Sequence, residues 1–238
     1  MVKTIHYSTI NIYMSVYLQP KNPVGNLTKL EFPYTPQIDY SVDVKYDTYN
    51  TTHTNYQLYG YTRTENPLIN LNCKFSAHTD EHFKMSEFAI RFLRTYSKMN
   101  YGRTDMNRGQ TPRILRFFAY GTQIFDNVPV VISKFSMTFP EDVDYVQGTF
   151  DTASKLVATG QVRNNKNPTN QPDPRAGAVP GAEKPLVVNG QTEGYTLYLP
   201  IFFQISISLL VQQNLYRAVN EFNLEDFAAG KLNSKGYI

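Results

Sequence analysis

Tryptophan is missing from this 238-residue chain, and cysteine occurs once, at Cys73. A lone cysteine excludes an intrachain disulfide framework and fits a reducing, cytosolic setting. An excess of one charge sign is also missing. The 23 lysines and arginines against 20 aspartates and glutamates leave a net +3, too mild for a compact basic nucleic-acid-binding domain. The sequence has no G-x-x-x-x-G-K-[ST] or G-x-G-x-x-G loop to cradle a phosphate and no G-x-S-x-G elbow to present a nucleophilic serine. His6 and His53 stand isolated, and the opening residues up to Pro20 carry neither a basic leader nor a small-residue cleavage site. The uncharged run Tyr195 to Tyr216 is long enough to span a membrane, but its apolar residues alternate and Pro200 interrupts it. That pattern reads as a strand rather than a spanning helix.

What the chain has in quantity is aromatic rings, 18 tyrosines and 15 phenylalanines, set in short alternating runs that favour a β-rich fold. The length suits one large domain or one domain with an arm. Ile69, Leu71, Cys73, Phe75 and Ala77 fall on one side of an extended backbone and Asn70, Asn72, Lys74 and Ser76 on the other, which makes a half-buried strand with Cys73 in the core. The period then changes. Met85, Phe88, Ala89, Phe92, Leu93, Tyr96 and Met99 recur at helical spacing, with Thr79 as N-cap, Asp80 and Glu81 in the first turn, and Gly102 as the stop. This places a helix at about 79–101.

Strands are expected over Arg113 to Tyr120 and Val130 to Phe139, the latter with Val131, Phe135, Met137 and Phe139 facing one way, separated by a turn from Gly121 to Pro129. The whole stretch Pro67 to Pro140 is expected to close as a strand, helix and hairpin. Upstream, Ile10 to Leu18 alternates as an N-terminal strand, and Pro20 to Pro36 reads as a loop. Ile38, Tyr40, Val42, Val44 and Tyr46 alternate as one strand that returns over Asn55 to Tyr61. Asp151 to Glu193 holds five of the 14 prolines and no aromatic residue, so it reads as an arm or long loop, either disordered or ordering on a neighbouring protein. The strand Tyr195 to Val211, divided at Pro200, suits a barrel wall or an intersubunit arm. In the tail 212–238, Asn223 caps a short helix that Gly230 ends.

Chemistry has one candidate. His78-Thr79-Asp80-Glu81-His82 matches the H-x-x-E-H pattern of a metallopeptidase class. However, His78 precedes the N-cap, Asp80 and Glu81 serve the helix start, and Glu87 is the nearest guess for a third ligand, so a zinc site at His78 and His82 is rejected. Neither metal nor cofactor is expected. Arg91, Arg94 and Lys98 form a basic stripe on the helix, followed by Arg103, Arg108, Arg113 and Arg116. With the tyrosines this stripe suggests stacking and phosphate contacts, a subunit contact, or a solvated face with Glu87 and Arg91 as an i,i+4 pair.

Several stretches together resemble the tail-tube initiator and baseplate hub proteins of contractile-tailed bacteriophages. They are Phe32-Pro33-Tyr34-Thr35-Pro36, His53-Thr54-Asn55-Tyr56, Phe88 to Arg94, Pro112 to Phe117 with Ala119-Tyr120-Gly121, Val128-Pro129-Val130-Val131, and Phe139 to Val146. The resemblance covers about 30–150, with weaker support from Asn223 to Ile238. It implies a single tail-tube-like domain over 1–238, α+β but mainly β. The implied domain is an antiparallel sandwich or barrel flanked by the helix, whose long hairpins six copies join into one barrel. It further implies a structural virion protein rather than an enzyme, assembled in the host cytoplasm into the tail or baseplate and touching neighbouring tube and baseplate proteins. Tape-measure protein or DNA would pass through the lumen, with no role for a membrane. Candidate subunit contacts are Arg91, Arg94, Lys98, Tyr40, Val42, Val44, Leu197, Leu199, Ile201, Phe203 and Ile205. Cations repeated six times would hold DNA in a channel, so Arg91, Arg94 and Lys98 are expected outside the lumen. The alternative is a monomeric nucleic-acid- or carbohydrate-binding β-domain.

Overall fold

Alternation along a strand sorts side chains onto two faces, and in this chain the sorting produces one apolar sheet face large enough to receive a helix. The structure is a computed structural model that describes residues 16–150, 156–162 and 195–238. Its strands are β1 (Tyr17–Pro20), β2 (Leu30–Glu31), β3 (Gln37–Ser41), β4 (Val44–Tyr49), β5 (Leu58–Thr64) and β6 (Leu68–Ser76). Helix α1 (Asp80–Tyr96) follows, then β7 (Leu115–Ala119), β8 (Phe125–Thr138), β9 (Tyr145–Phe150), β10 (Leu156–Val162), β11 (Tyr195–Pro200) and β12 (Phe202–Val211). Helices α2 (Leu215–Glu221) and α3 (Leu224–Ala228) and a 3-10 turn at Asn233–Lys235 complete the described residues. The protein is mainly β, and every strand pairing is antiparallel.

Seven strands form one sheet in the order β2-β1-β7-β8-β12-β6-β3. Its ends are open, and no closed barrel forms among the described residues. The last strand lies near its centre, with Ile205 opposite Cys73 on β6 and opposite Met137 on β8. This corrects the expected closure of Pro67 to Pro140 on itself, because β6 and β8 meet only through β12. Phe203, Ile205, Ile207, Leu209 and Val211 are all buried, each worth about 1.5–3 kcal/mol. That burial drives the insertion. It also corrects Leu199, Phe203 and Ile205 as subunit contacts, since they lie in the chain's own core, with Leu197 and Ile201 packed against it. The β12 part of the long terminal strand is thus neither an arm nor an unpaired edge, whereas β11 forms one edge of a smaller sheet.

Pro200 divides that strand between two sheets, as its missing N–H predicts. β11 joins a three-stranded sheet, β10-β9-β11. The Ile201 N–H bonds the Asp144 carbonyl at 2.9 Å, and the Ala77 N–H bonds the Ile201 carbonyl at 2.8 Å, stitching the two sheets where β8 also passes into β9. Strand β10 falls inside the segment expected to be an arm, so that expectation is corrected for Leu156–Val162. Residues 151–155 and 163–194, and the predicted start of the N-terminal strand at Ile10, lie outside the described residues.

Helix α1 covers the apolar face. Thr79 accepts the His82 N–H at its N-cap, and Phe83, Ala89, Phe92, Leu93 and Tyr96 are buried against the sheet. The helix ends at Ser97, five residues before the expected Gly102. Tyr96 is pinned there, donating from Oη to the Leu27 carbonyl at 2.7 Å and accepting from the Val24 N–H at 3.0 Å. The Ser97 hydroxyl takes the Arg94 carbonyl, and the Asn100 N–H bonds Gln110 instead of a helical carbonyl. Met99 is consequently exposed rather than part of the buried stripe.

Three further expectations change. The strand predicted over Ile38 to Tyr46 breaks at Val42-Asp43 into β3 and β4, which belong to different sheets. The turn predicted over Gly121 to Pro129 shrinks to 120–124, because Asp126, Asn127 and Pro129 sit in β8 beside an irregularity opposite β7, with Asn127 at φ 56°. A second irregularity, between Ser208 and Leu209 opposite β8, shifts the pleat. Ile132 therefore joins Phe135 and Met137 on the core side in place of Val131, and Phe139 is exposed.

Gly148 on β9 marks the closest approach of α1 to the small sheet, since a Cβ there would overlap the Phe83 ring. Phe83 also stacks on Phe150 at 5.8 Å between centroids. Gly148→Ala is expected to destabilise the fold by about 1–3 kcal/mol through overpacking, read by denaturant unfolding. Combining it with Phe83→Leu should recover part of the loss, and strict additivity of the two would refute the contact.

Candidate assembly surface

Val44 to Tyr49 and Leu58 to Thr64 are rich in rings and β-branched residues, among them Val44, Tyr46, Thr48, Tyr59, Tyr61 and Thr62, a composition that makes strands. Among the described residues they pair only with each other, in a two-stranded ribbon. Such a ribbon is marginal alone, yet its apolar side chains lie open: Tyr46, Tyr49, Leu58 and Tyr61 are exposed, Tyr59 is 65% exposed and Tyr56 85%. Local packing stiffens it. Tyr46 meets Tyr61 edge to face at 6.0 Å, Tyr49 lies over Gly60, and the Tyr61 hydroxyl reaches Thr64 at 3.0 Å. The ion pairs of Glu65 with Arg63 and Lys45, at 3.3 and 3.9 Å, are exposed and contribute little. An open groove of about 510 Å³ runs along Val44, Lys45, Tyr46 and Tyr59. Contiguous apolar exposure of this kind marks an interaction surface. Of the residues singled out in the sequence, Tyr40, Val42 and Val44 lie at the root of the ribbon and are exposed.

The seven-stranded sheet turns a polar face away from α1. Across it run Gln37, Asn72, Ser206 and Ser136 in one row and Asp39, Asn70, Ser208 and Lys134 in the next. Ser206 donates to Asn72 Oδ1 at 2.9 Å and Ser208 to Asn70 Oδ1 at 2.7 Å. These bonds fix the side chains of a solvent-facing ladder.

The helix residues divide. Arg94 and Lys98 are exposed, but Arg91 is half-buried, with Nε 3.5 Å from Glu87 Oε1, and Glu87 is only 7% exposed. Tyr195 on β11 donates to the same Glu87 oxygen at 2.8 Å. The Glu87–Arg91 pair is thus a tie between helix and small sheet rather than part of a solvated face. His82 Nδ1 lies 3.0 Å from Ser76 Oγ, which also reaches the Tyr34 hydroxyl at 3.1 Å, while His78 lies edge-on to Phe202. The two histidines thus take different partners, and among the described residues no three His, Cys, Asp or Glu side chains gather as a metal site would require. No helix among them is long and apolar enough to cross a membrane.

Sequence reasoning missed a second exposed patch, Leu215, Tyr216, Val219 and Leu224 on α2 and α3. Asn214, which caps α2 by accepting the Tyr216 N–H at 2.9 Å, was the available signal. Behind the patch, Leu232 and Tyr237 are buried and Gly236, at φ 83°, lies against Asn127 and Pro129 of β8. The tail is docked.

Cys73 is fully enclosed, and burial pushes its thiol up to about 12. Native protein is therefore expected to resist alkylation at pH 8 and to react on unfolding. Between pH 9 and pH 12 the unfolded chain loses this proton while the folded chain keeps it, so stability falls as pH rises through that window. Cys73→Ala should lose less over it, and equal losses would show that the thiol is not responsible. No protein-family model matches the chain, and no curated protein matches it.

Proposed function

We propose that this chain is a ring-forming structural component of a contractile phage tail, of the tube-initiator or baseplate-hub kind, and not an enzyme. The observation that carries the reading is the β4–β5 ribbon, a stiff projection whose rings find no cover among the described residues. Open edges at β2 and β3 support it too, since a ring removes edges by lateral pairing. Six copies would join their sheets and ribbons into one shared barrel. In that ring the polar face faces the lumen, where neutral Asn and Ser pairs flanked in one row by the opposite charges of Asp39 and Lys134 suit the passage of DNA or a tape-measure protein without strong retention. Helix α1 packs on the opposite face of the same sheet, which fits the expectation that Arg91, Arg94 and Lys98 lie outside the channel. The ring would sit in the virion, in the tail or baseplate, against adjacent tube and baseplate proteins.

Purified full-length protein is expected to form six-fold rings with rising concentration, seen by sedimentation velocity and negative-stain images. Tyr56→Asp with Tyr59→Asp should leave unfolding within about 0.5 kcal/mol of the parent, as for other exposed positions, and abolish the rings. A monomer at every concentration that binds single-stranded DNA in a salt-sensitive way through these tyrosines would replace this reading with the binding-domain one.

A further inference from the structure

The charges of the described residues are sorted along α1. At its C-terminal end Arg94 and Lys98 are exposed, and the connection 100–110 adds exposed Arg103 and Arg108 against one carboxylate, Asp105. That connection folds back on itself. The Gly109 N–H bonds the Asn100 carbonyl at 2.7 Å, and the Asn100 N–H bonds the Gln110 carbonyl at 3.1 Å, so its cations are held at the helix end. Between them Tyr101 is 76% exposed and Met106 wholly so. Arg, Tyr and Met are the residue types enriched where proteins meet.

The opposite end is acidic. Asp80 and Glu81 open the helix, and the bonds from Ala77 to Ile201 and from Ile201 to Asp144 draw Glu141-Asp142-Val143-Asp144 against its entrance. Asp80, Glu81, Glu141, Asp142 and Asp144 are all exposed there, with Lys84 the cation on the adjoining turn of the helix. At about 1.5 Å per residue, α1 separates the two ends by roughly 25 Å. Attraction to the helix dipole explains acids in the first turn and Arg94 in the last. The dipole acts only within those turns, whereas Glu141, Asp142, Asp144, Arg103 and Arg108 lie in connections outside the helix and enlarge the acidic and basic ends.

We propose that the basic end of α1, with Tyr101 and Met106 at its tip, docks on the acidic end of a second copy of this chain. A two-fold contact through one end alone would set like charges together, and an antiparallel two-fold pair that matched both ends at once would stop at a dimer. A ring therefore calls for a head-to-tail contact, in which each copy keeps one charged end for the next. The inference rests on the self-assembly reading and supplies its polarity: each copy presents one charged end to the copy ahead and the other to the copy behind.

Two full-length variants test it, Arg94→Glu/Arg103→Glu/Arg108→Glu at the basic end and Glu141→Lys/Asp142→Lys/Asp144→Lys at the acidic end, each checked by thermal unfolding. Each alone is expected to need at least about tenfold more protein to assemble, which corresponds to about 1.4 kcal/mol. An equimolar mixture is expected to assemble like the parent, because reversed ends again meet their opposites. Parent assembly should weaken as salt rises from about 0.05 to 0.5 M, as screening shortens. If a triple variant fails to fold, Arg103→Gln/Arg108→Gln carries the test, with a smaller salt response expected. Parent protein that assembles while the variants assemble equally, or a mixture that does not recover, overturns the end-to-end contact and leaves the ring reading standing. Parent protein that never assembles overturns both. Loss of oligonucleotide binding in the basic-end variant, with normal assembly of both variants, assigns that end to nucleic acid instead.

Discussion

The insertion of β12 between β6 and β8 is the constraint on which the remaining structure depends. Among the described residues those strands hold no backbone partner in common except β12, and the face that receives α1 exists only once all three are side by side. The alternation of β12 does two things at once. Its odd positions supply the apolar centre under the helix, and its even positions supply the hydroxyls that bond Asn70 and Asn72 on the other side. A shift of one residue would exchange the faces, burying serines under α1 and turning isoleucines to water.

With the centre satisfied internally, what the chain leaves uncovered lies at its periphery. The β4–β5 ribbon, Tyr216 on α2 and the tip of the 100–110 connection all project from elements anchored on a well-packed sheet. Exposed rings on a rigid support lose little side-chain freedom on contact, which favours association. Thus the division between a satisfied interior strand and an unsatisfied ribbon gives the self-assembly reading its physical content. It leaves Tyr46, Tyr49, Tyr59 and Tyr61 in the open, on strands separate from the seven-stranded sheet.

Legibility in the sequence followed the strength of local pattern. The strand 68–76, the cap at Thr79, the break at Pro200 and the short helix after Asn223 could be read because each depends on neighbours in sequence: pleat, capping oxygen, missing N–H. The burial of Leu199, Phe203 and Ile205 could not, since a fully apolar edge and a central strand share the same alternation and differ only in what flanks them in space. Likewise, Asp126, Asn127 and Pro129 have the composition of a turn, and only the facing strand β7 decides that they form an irregular stretch of β8. Glu87 and Arg91 have the spacing of a surface pair, yet Tyr195, from a strand more than a hundred residues away, closes over the carboxylate. The candidate site was legible in part: the tyrosine-rich hairpin was visible as a hairpin, but nothing local said that its rings would remain open.

The separation between β6 and its partner β12 also sets a timetable. Asn72 and Ser206 stand 134 positions apart, and closing so long a loop is slow compared with forming the ribbon or the helix. During synthesis β6 and β8 wait at the ribosome with the flank that β12 will fill left bare, and the surface that seats α1 matures only after residue 211 has emerged. The ribbon, by contrast, is a local hairpin available far sooner. A nascent copy thus exposes its sticky projection before it owns a finished body to hold it, a hazard for crowded polysomes that a chaperone or rapid completion of the chain would relieve.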